Sequence, residues 1–266
     1  MAELQEADYG EGRDYAYGSP HLTHAGLGRR IEAELRDLVA AIVSERGECR
    51  VVEVGAGHGP MTAHMLAAGA SVTVTEMSEP SARVLASTYG DRDDVRVVHD
   101  PDGARTPDLV AQGCDLLVFI GVLHHIPDYL TEVGRLVEAM PEGGSFYCTM
   151  DPTFYPTRPR GHHAAERASY LLWRVAQGNL RRGIATRWRR VRGVWDETLN
   201  SDMVEYHTVR QGVDQEALAA LLRQYFTDVD LRIYWSTQGG AFQRLGERFG
   251  WTSTFGITAR GRTGRG

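Results

Sequence analysis

Hydrophobic and polar positions alternate along the chain with two different periods. Residues 28–46 carry apolar side chains at helical spacing, and Gly47 after them predicts the end of a helix. Short runs rich in β-branched residues then predict strands over 49–55, 71–76, 95–100, 114–121 and 143–151. Helical spacing between those runs predicts helices over 60–69, 79–89, 107–112 and 129–140. The order strand, helix, strand is typical of a parallel sheet with helices on both faces.

The pattern changes after residue 151. The alternation of strands and helices is interrupted over residues 152–210. A further helix is then predicted over 214–226, and two further strands over 229–235 and 251–259. Because no clear crossover separates these last two strands, we expect a long-loop antiparallel hairpin at the edge of the sheet. We therefore predict an α/β fold. It is a Rossmann-like three-layer sandwich around a mostly parallel seven-stranded sheet whose last strand is antiparallel, with an added helical lid.

The same pattern divides the chain into four parts. Residues 1–30 predict an N-terminal arm, and 31–151 together with 211–259 predict the core. Residues 152–210 predict an insertion rich in arginine and aromatic residues, and 260–266 predict a disordered tail.

Composition narrows the class of protein. The chain has 266 residues, 42% of them hydrophobic, and a formal net charge of −6, which suits an acidic globular protein. No signal peptide or membrane span is visible, and three scattered cysteines predict neither a disulfide framework nor a zinc site. We therefore expect a cytoplasmic protein. All 29 basic residues are arginine, which excludes a Schiff-base or P-loop lysine.

A glycine-rich turn follows the first predicted strand. Residues 53–60 read EVGAGHGP, an E-x-G-x-G-x-G spacing. Glycines there allow a tight turn and the close approach of a ligand, and the N–H groups of the following helix can face a carboxylate. Pro60 stands where the dinucleotide fingerprint requires its third glycine, which argues against an NAD oxidoreductase.

Three further features lie at the ends of later strands, which meet at one edge of a parallel sheet. Glu76 ends the second strand, where an acid can accept hydrogen bonds from both hydroxyls of a ribose. Asp100 ends the third strand and can accept from an exocyclic adenine amine, and the fourth strand runs into GVLHHIPD at 121–128. Either acid alone is more typical of a solvated strand end. Their order along the chain favours a nucleoside site.

With these residues the chain resembles the class I S-adenosylmethionine-dependent methyltransferases. The LHHI-P-D segment resembles the branch that acts on small molecules of natural-product and sugar type. The resemblance covers residues 30–150 well and 211–260 by architecture. MPEGGSFY at 140–147 is similar to the family's turn into the fifth strand, with Glu142 where the family usually has proline.

The resemblance implies S-adenosyl-L-methionine as cofactor and S-adenosyl-L-homocysteine as product. By resemblance, Glu53 holds the methionine amino group, Glu76 the ribose and Asp100 the adenine amine, while the glycine turn passes under the methionyl and ribose parts. Tyr17 of the arm closes over the cofactor as a lid. The implied cofactor-binding residues are Tyr17, Glu53, Gly55, Ala56, Gly57, Gly59, Glu76, Met77, Asp100, Pro101, Ile120 and Gly121.

Methyl transfer from a sulfonium is an in-line displacement, so the protein mainly aligns the reacting groups. A general base contributes about 10²–10⁴-fold when the acceptor is a hydroxyl or an ammonium. Resemblance to sugar methyltransferases implies that His124 and Asp151 act as this base pair, although a pocket wall and a turn cap are the competing roles. His125, also a candidate catalytic residue, suits a packing role better. No metal site is predicted.

The insertion is strongly basic in an acidic chain. Residues 152–195 contain ten arginines and one acid, Glu166. Its position resembles that of the family's substrate caps, and arginine forks recognise phosphate or carboxylate. Contact with an anionic membrane, contact with RNA, and a solvated helix face paired with acids elsewhere stay open as alternatives.

We therefore predict a methyltransferase for an oxygen or nitrogen of a small-molecule acceptor, a secondary metabolite or a phosphate-bearing or sugar-containing intermediate. Stable nucleic-acid binding and integral membrane association are not expected, and a homodimer is compatible with the sequence. The alternatives are an RNA or protein methyltransferase, and an enzyme of this fold with non-methylating chemistry such as cyclisation.

Overall fold

The computed structural model describes residues 19–176 and 211–264. Within those residues one sheet of seven strands has the order β3-β2-β1-β4-β5-β7-β6. The strands are β1 Arg50–Val54, β2 Ser71–Glu76, β3 Val95–His99, β4 Leu116–Ile120, β5 Ser145–Pro152, β6 Phe226–Tyr234 and β7 Thr254–Arg262. The pairs among β1 to β5 are parallel, whereas β7 runs antiparallel to β5 and β6. The predicted α/β fold with an antiparallel last strand is confirmed.

Helices flank the sheet. They are α1 Pro20–Thr23, α2 Ala25–Arg46, α3 Thr62–Ala67, α4 Glu79–Tyr89, α5 Thr106–Ala111, α6 Tyr129–Ala139, α7 Arg160–Ala176, α8 Gln215–Leu222 and α9 Gly240–Phe249. Local signals define several ends: Gly47, at φ 84°, ends α2, and Asp128 and Asp214 cap α6 and α8 through their carboxylates. No helix of the described part of the chain is long and apolar enough to cross a membrane.

Each face of the sheet carries its own hydrophobic core. Along β5, Phe146 and Cys148 point into one core, together with Leu123 and residues of α6 and α8. Tyr147 points into the other core, which α2, α3 and α4 cover. Successive strand residues point to opposite faces, so a strand buried on both faces is apolar at most of its positions. This explains why β1 and β4 are recognisable in the sequence.

The predicted antiparallel pairing of the last two strands at one edge of the sheet is confirmed. β7 lies between β5 and β6, and β6 is the edge strand. Their connection also contains α9, which the hydrophobic pattern did not predict. The buried residues of α9 are Gln243 and Gly246, while Leu245 and Phe249 are exposed. Its apolar side chains therefore do not mark its buried face.

Several element ends also differ. β6 begins at Phe226, inside the predicted helix 214–226, and α1 lies within the predicted arm. β7 continues to Arg262, into the segment expected to be disordered. Its extension is held by the Arg262 guanidinium, which donates to Val137 O and Glu138 O at 3.1 and 2.8 Å.

Candidate active site

The glycine turn after β1 packs against the turn after β4. Gly55 has φ 70°, and a Cβ there would lie 2.9 Å from Val122 Cγ2. Gly59 has φ 78°, and a Cβ there would lie 2.7 Å from the Tyr89 ring. Both positions therefore need glycine for conformation and for space within the protein. Between them, the Gly57 N–H donates to Glu76 Oε2 at 2.9 Å and ties this turn to the end of β2.

Glu53 is a buried carboxylate beneath this turn. It is 3% exposed, and Thr62 Oγ1 donates to its Oε2 at 2.5 Å. Burial, with a smaller contribution from the negative charge of Glu76, raises the pKa of Glu53 to about 7 against the lowering effect of the Thr62 hydrogen bond. Among the described residues Glu53 forms no ion pair, so a cationic ligand group is the partner that would favour its charged form.

Glu76 is buried at the end of β2 and fixed by backbone groups. It accepts from Gly57 N at 2.9 Å through one oxygen and from Ser78 N at 3.0 Å through the other. Burial raises the pKa of Glu76, and these backbone hydrogen bonds oppose the rise. A carboxylate has about four acceptor sites, so both oxygens retain capacity for a hydroxyl donor.

Asp100 has a structural role as well as a candidate binding role. It accepts from Thr106 N and Thr106 Oγ1 at 2.9 and 2.7 Å through Oδ2, and from Arg105 N at 3.2 Å through Oδ1. These donors lie at the start of α5, whose N–H groups have no partner within the helix. Asp100 therefore holds α5 against the end of β3.

The other predicted cofactor residues lie around the same edge. Ala56 is buried, Met77 and Ile120 are half-buried, and Pro101 is exposed. Gly121 has φ 66°, and its N–H donates to Thr149 O at 2.8 Å. Tyr17 lies outside the described residues.

His124 and Asp151 form a close pair between the ends of β4 and β5. His124 lies in the short 3₁₀ turn Leu123–His125, and its Nδ1 is 2.7 Å from Asp151 Oδ1. The backbone N–H of His124 donates to the same oxygen at 3.0 Å. The His124 side chain is 15% exposed and that of Asp151 0%. Since an ionised carboxylate only accepts, Nδ1 carries the proton and Nε2 is the basic nitrogen of the ring.

The second oxygen of Asp151 has no hydrogen-bond partner among the residues that the structure describes. Asp151 Oδ2 is buried there without a donor, which is costly for a carboxylate oxygen unless the residue has another use. His125 lies beside the pair, with its ring centroid 4.0 Å from that of His124. Its backbone N–H donates to Val122 O at 2.9 Å.

Sequence reasoning missed two residues that shape this edge. Thr62 is buried in α3 and bonds Glu53, but a threonine inside a helix carries no signal of such a contact. Met150 is a non-glycine residue with φ 67° in β5, where the pairing register shifts between Thr149 and Asp151. The strand pattern continues through Met150, so nothing in the sequence indicates this bulge.

The arginines in the described part of the insertion have three environments. The half-buried Arg174 donates to the Tyr170 hydroxyl. Arg158 is buried and donates to Thr153 O, to Ser253 O at 2.6 Å and to the carboxylate of Glu166. It therefore stabilises the fold and is not available to a ligand. Arg160 and Arg167 of α7 are exposed. No cluster of three metal-binding side chains is present in the described ranges.

Comparison with known proteins gives one family match. The family model described as "Methyltransferase domain" matches residues 27–225. Over 103 residues the chain is 34% identical to "Ribosomal RNA small subunit methyltransferase A" of Anaeromyxobacter dehalogenans (strain 2CP-C), a match that covers 36% of this chain and 36% of that protein. The chain thus matches little more than a third of that relative's length.

Two solved structures share the fold over most of the chain. The N-methyltransferase NodS from Bradyrhizobium japonicum WM9, crystallised with S-adenosyl-L-homocysteine, gives a TM-score of 0.52 at 13% identity and covers 97% of this chain and 96% of its own. The DszA carbon methyltransferase gives 0.54 at 16% identity over 91% of this chain and 56% of its own. At these identities the likeness concerns the fold.

Proposed function

Because this chain belongs to the methyltransferase-domain family, whose model matches residues 27–225, we propose that it transfers a methyl group from S-adenosyl-L-methionine to an oxygen or nitrogen of a small molecule. The observation that carries the choice of acceptor atom is the pairing of His124 Nδ1 with Asp151 Oδ1 at 2.7 Å. A hydroxyl or an ammonium must lose a proton when it is methylated, and such a pair is suited to accept it.

The residues at the strand ends fit this cofactor. When bound, S-adenosyl-L-methionine supplies an activated methyl group on a sulfonium. Glu53, buried without a cation in the described part of the chain, suits the amino group of the methionyl part. Glu76 retains acceptor capacity for the ribose hydroxyls, and Asp100 retains it for the adenine amine, beside the bonds that fix both.

We assign the role of general base to His124. Its Nε2 accepts the proton of the acceptor while Nδ1 keeps its hydrogen bond to Asp151. Asp151 holds one tautomer of the imidazole and stabilises the imidazolium that results. Its complete burial strengthens this interaction, because little water screens the charge.

The acceptor we infer is a small metabolite with an anionic group, such as a phosphate-bearing or sugar-containing intermediate. The exposed Arg160 and Arg167 of α7 are the described cations of the insertion that suit such a group. The LHHI-P-D segment supports a role in natural product biosynthesis through its resemblance to enzymes of that type. NodS is named as an N-methyltransferase and DszA as a carbon methyltransferase, so the shared fold is compatible with several acceptor atoms.

Two measurements test this function. We expect S-adenosyl-L-homocysteine to bind in a calorimetric titration and NAD to give no heat. Methyl acceptors are then sought with labelled S-adenosyl-L-methionine and a set of hydroxylated and amine-bearing metabolites. In His124→Gln we expect turnover of the acceptor so found to fall by about 10²–10⁴-fold, with affinity for S-adenosyl-L-homocysteine unchanged.

His125→Gln is the matched control, because it changes the neighbouring histidine that does not bond Asp151. It should reduce turnover far less than His124→Gln does. Unchanged turnover in His124→Gln would contradict the role of His124 as general base. Heat on titration with NAD but not with S-adenosyl-L-homocysteine would contradict the methyltransferase function.

A second candidate function is methylation of RNA. The observation in its favour is the 34% identity over 103 residues to a ribosomal RNA methyltransferase.

A further inference from the structure

A strained bulge in β5 determines the face of the sheet on which Asp151 lies. Phe146 and Cys148 point into one core and Tyr147 into the other, as in a regular strand. Met150 should therefore join Cys148, but it packs in the core of Tyr147 instead. The register shift between Thr149 and Asp151 accounts for this change. The bulge thus turns Asp151 to the face of Cys148, where Leu123 also packs and His124 follows.

This bulge requires a backbone conformation that methionine disfavours. Met150 has φ 67°, in the left-handed region where a Cβ clashes with its own backbone. Such a conformation persists only where the surrounding contacts impose it. The contacts around Met150 therefore determine where Asp151 points.

The hydroxyl of Tyr234, at the end of β6, supplies three of those contacts. It lies 2.7 Å from Thr149 Oγ1, accepts from Met150 N at 3.3 Å and lies 3.4 Å from Met150 Sδ. β6 does not pair with β5, because β7 lies between them. Gly256 of β7 is paired with Thr149, and a Cβ at Gly256 would lie 3.0 Å from Thr149 Oγ1. Because Gly256 has no side chain, it leaves room beside the contact between the Tyr234 hydroxyl and Thr149 Oγ1.

Tyr234 is itself held in place. The Arg30 guanidinium of α2 lies 4.7 Å from the centroid of its ring. Burial raises the pKa of Tyr234 to about 12, so the hydroxyl keeps its proton at neutral pH. One hydroxyl can then accept from Met150 N and donate to one of its two other neighbours.

We propose that Tyr234 is a positioning residue for the base, because its hydroxyl holds the bulge at Met150 that turns Asp151 toward His124. This inference rests on the proposed function of the His124–Asp151 pair. Tyr234 acts through Met150 and Thr149, and not on the acceptor.

The test is a spectroscopic signature of the pair in Tyr234→Phe. The proton on His124 Nδ1, bonded to Asp151, gives a downfield resonance that is assigned by its loss in His124→Gln. We expect this resonance to weaken or vanish in Tyr234→Phe. We also expect kcat to fall by about tenfold to 10²-fold, as for a misplaced group, with little change in affinity for S-adenosyl-L-homocysteine.

Tyr225→Phe is the matched control. Its hydroxyl is also hydrogen-bonded, to Glu138 Oε1 at 2.8 Å, but at the other end of β6. The His124 resonance should be unchanged in this variant. Thr149→Val is a second test that keeps Tyr234 and that serves if Tyr234→Phe folds poorly. It should weaken the same resonance.

Rescue at position 150 separates positioning from general stability. Both Met150→Gly and Met150→Ala remove the thioether, but only glycine accepts φ 67° without strain. In the Tyr234→Phe background, the glycine variant should restore the resonance and the alanine variant should not. An unchanged resonance in Tyr234→Phe, or equal behaviour of the two double variants, overturns the inference. Because the resonance is measured without an acceptor, this readout is independent of the turnover test of His124.

Discussion

At the scale of single residues, Glu53 couples the binding of a cation to pH. Burial raises its pKa from 4.5 to about 7 in the ligand-free chain, and a bound amino group favours the charged form. We therefore predict that affinity for S-adenosyl-L-homocysteine falls about fivefold between pH 7 and pH 6 as Glu53 takes up a proton. Calorimetry in buffers of different ionisation enthalpy should show proton release on binding near pH 6.

Glu53→Gln is the control for this effect, since it keeps the shape but cannot ionise. Proton release should disappear in that variant, and release that persists would assign the effect to another group. The same shift has a consequence for stability. Because the folded chain holds a proton that the unfolded chain loses above pH 4.5, the stability from Glu53 is full below that pH and is lost as the pH rises through about 7.

The residue scale also limits what the sequence can indicate about the site. The positions of Glu53, Glu76, Asp100 and His124 at one edge of the sheet were predictable, because each lies at or shortly after the carboxyl end of a recognisable strand. The hydrogen bond between His124 and Asp151 was not derivable from the residues, because it depends on the bulge at Met150. That bulge rests on a contact with Tyr234, 84 residues away.

At the scale of elements, strands buried on both faces were the most predictable. β4 is apolar throughout, and β1 is apolar except for Arg50 and Glu53. Of the helices between them, α4 begins at a recognisable cap, because the Ser78 side chain accepts from Ser81 N. The order of the last strands was not predictable, since the insertion of β7 between β5 and β6 depends on contacts between distant parts of the chain. α9 was missed because Gln243 and Gly246 form its buried face.

Helix α2 is attached to the sheet through one carboxylate. Glu34 accepts from Tyr147 Oη of β5 at 2.8 Å and from the Arg232 guanidinium of β6 at 2.5 Å. We predict that Glu34→Ala lowers the free energy of unfolding by about 1–3 kcal/mol, because the buried Tyr147 hydroxyl loses its acceptor. Urea unfolding followed by circular dichroism measures this.

The control for this prediction is Glu32→Ala on the same helix. Glu32 pairs with Arg36 at 3.8 Å near the surface, and such pairs contribute about 0–1 kcal/mol. An equal loss in both variants would mean that helix propensity, and not attachment to the sheet, determines the stability of α2.

At the scale of the whole molecule, charge distinguishes a small acceptor from RNA. The chain carries a net charge of −6, and the buried Arg158 is bonded to its own fold. We predict that it retains no small-subunit ribosomal RNA fragment on a filter in about 0.15 M salt, while it binds S-adenosyl-L-homocysteine. A protein that contacts six to ten phosphates loses about 10³–10⁵ in affinity between about 50 and 200 mM salt. Retention with that steep dependence, weakened in Arg160→Gln/Arg167→Gln, would identify RNA as the acceptor and contradict the small-molecule proposal.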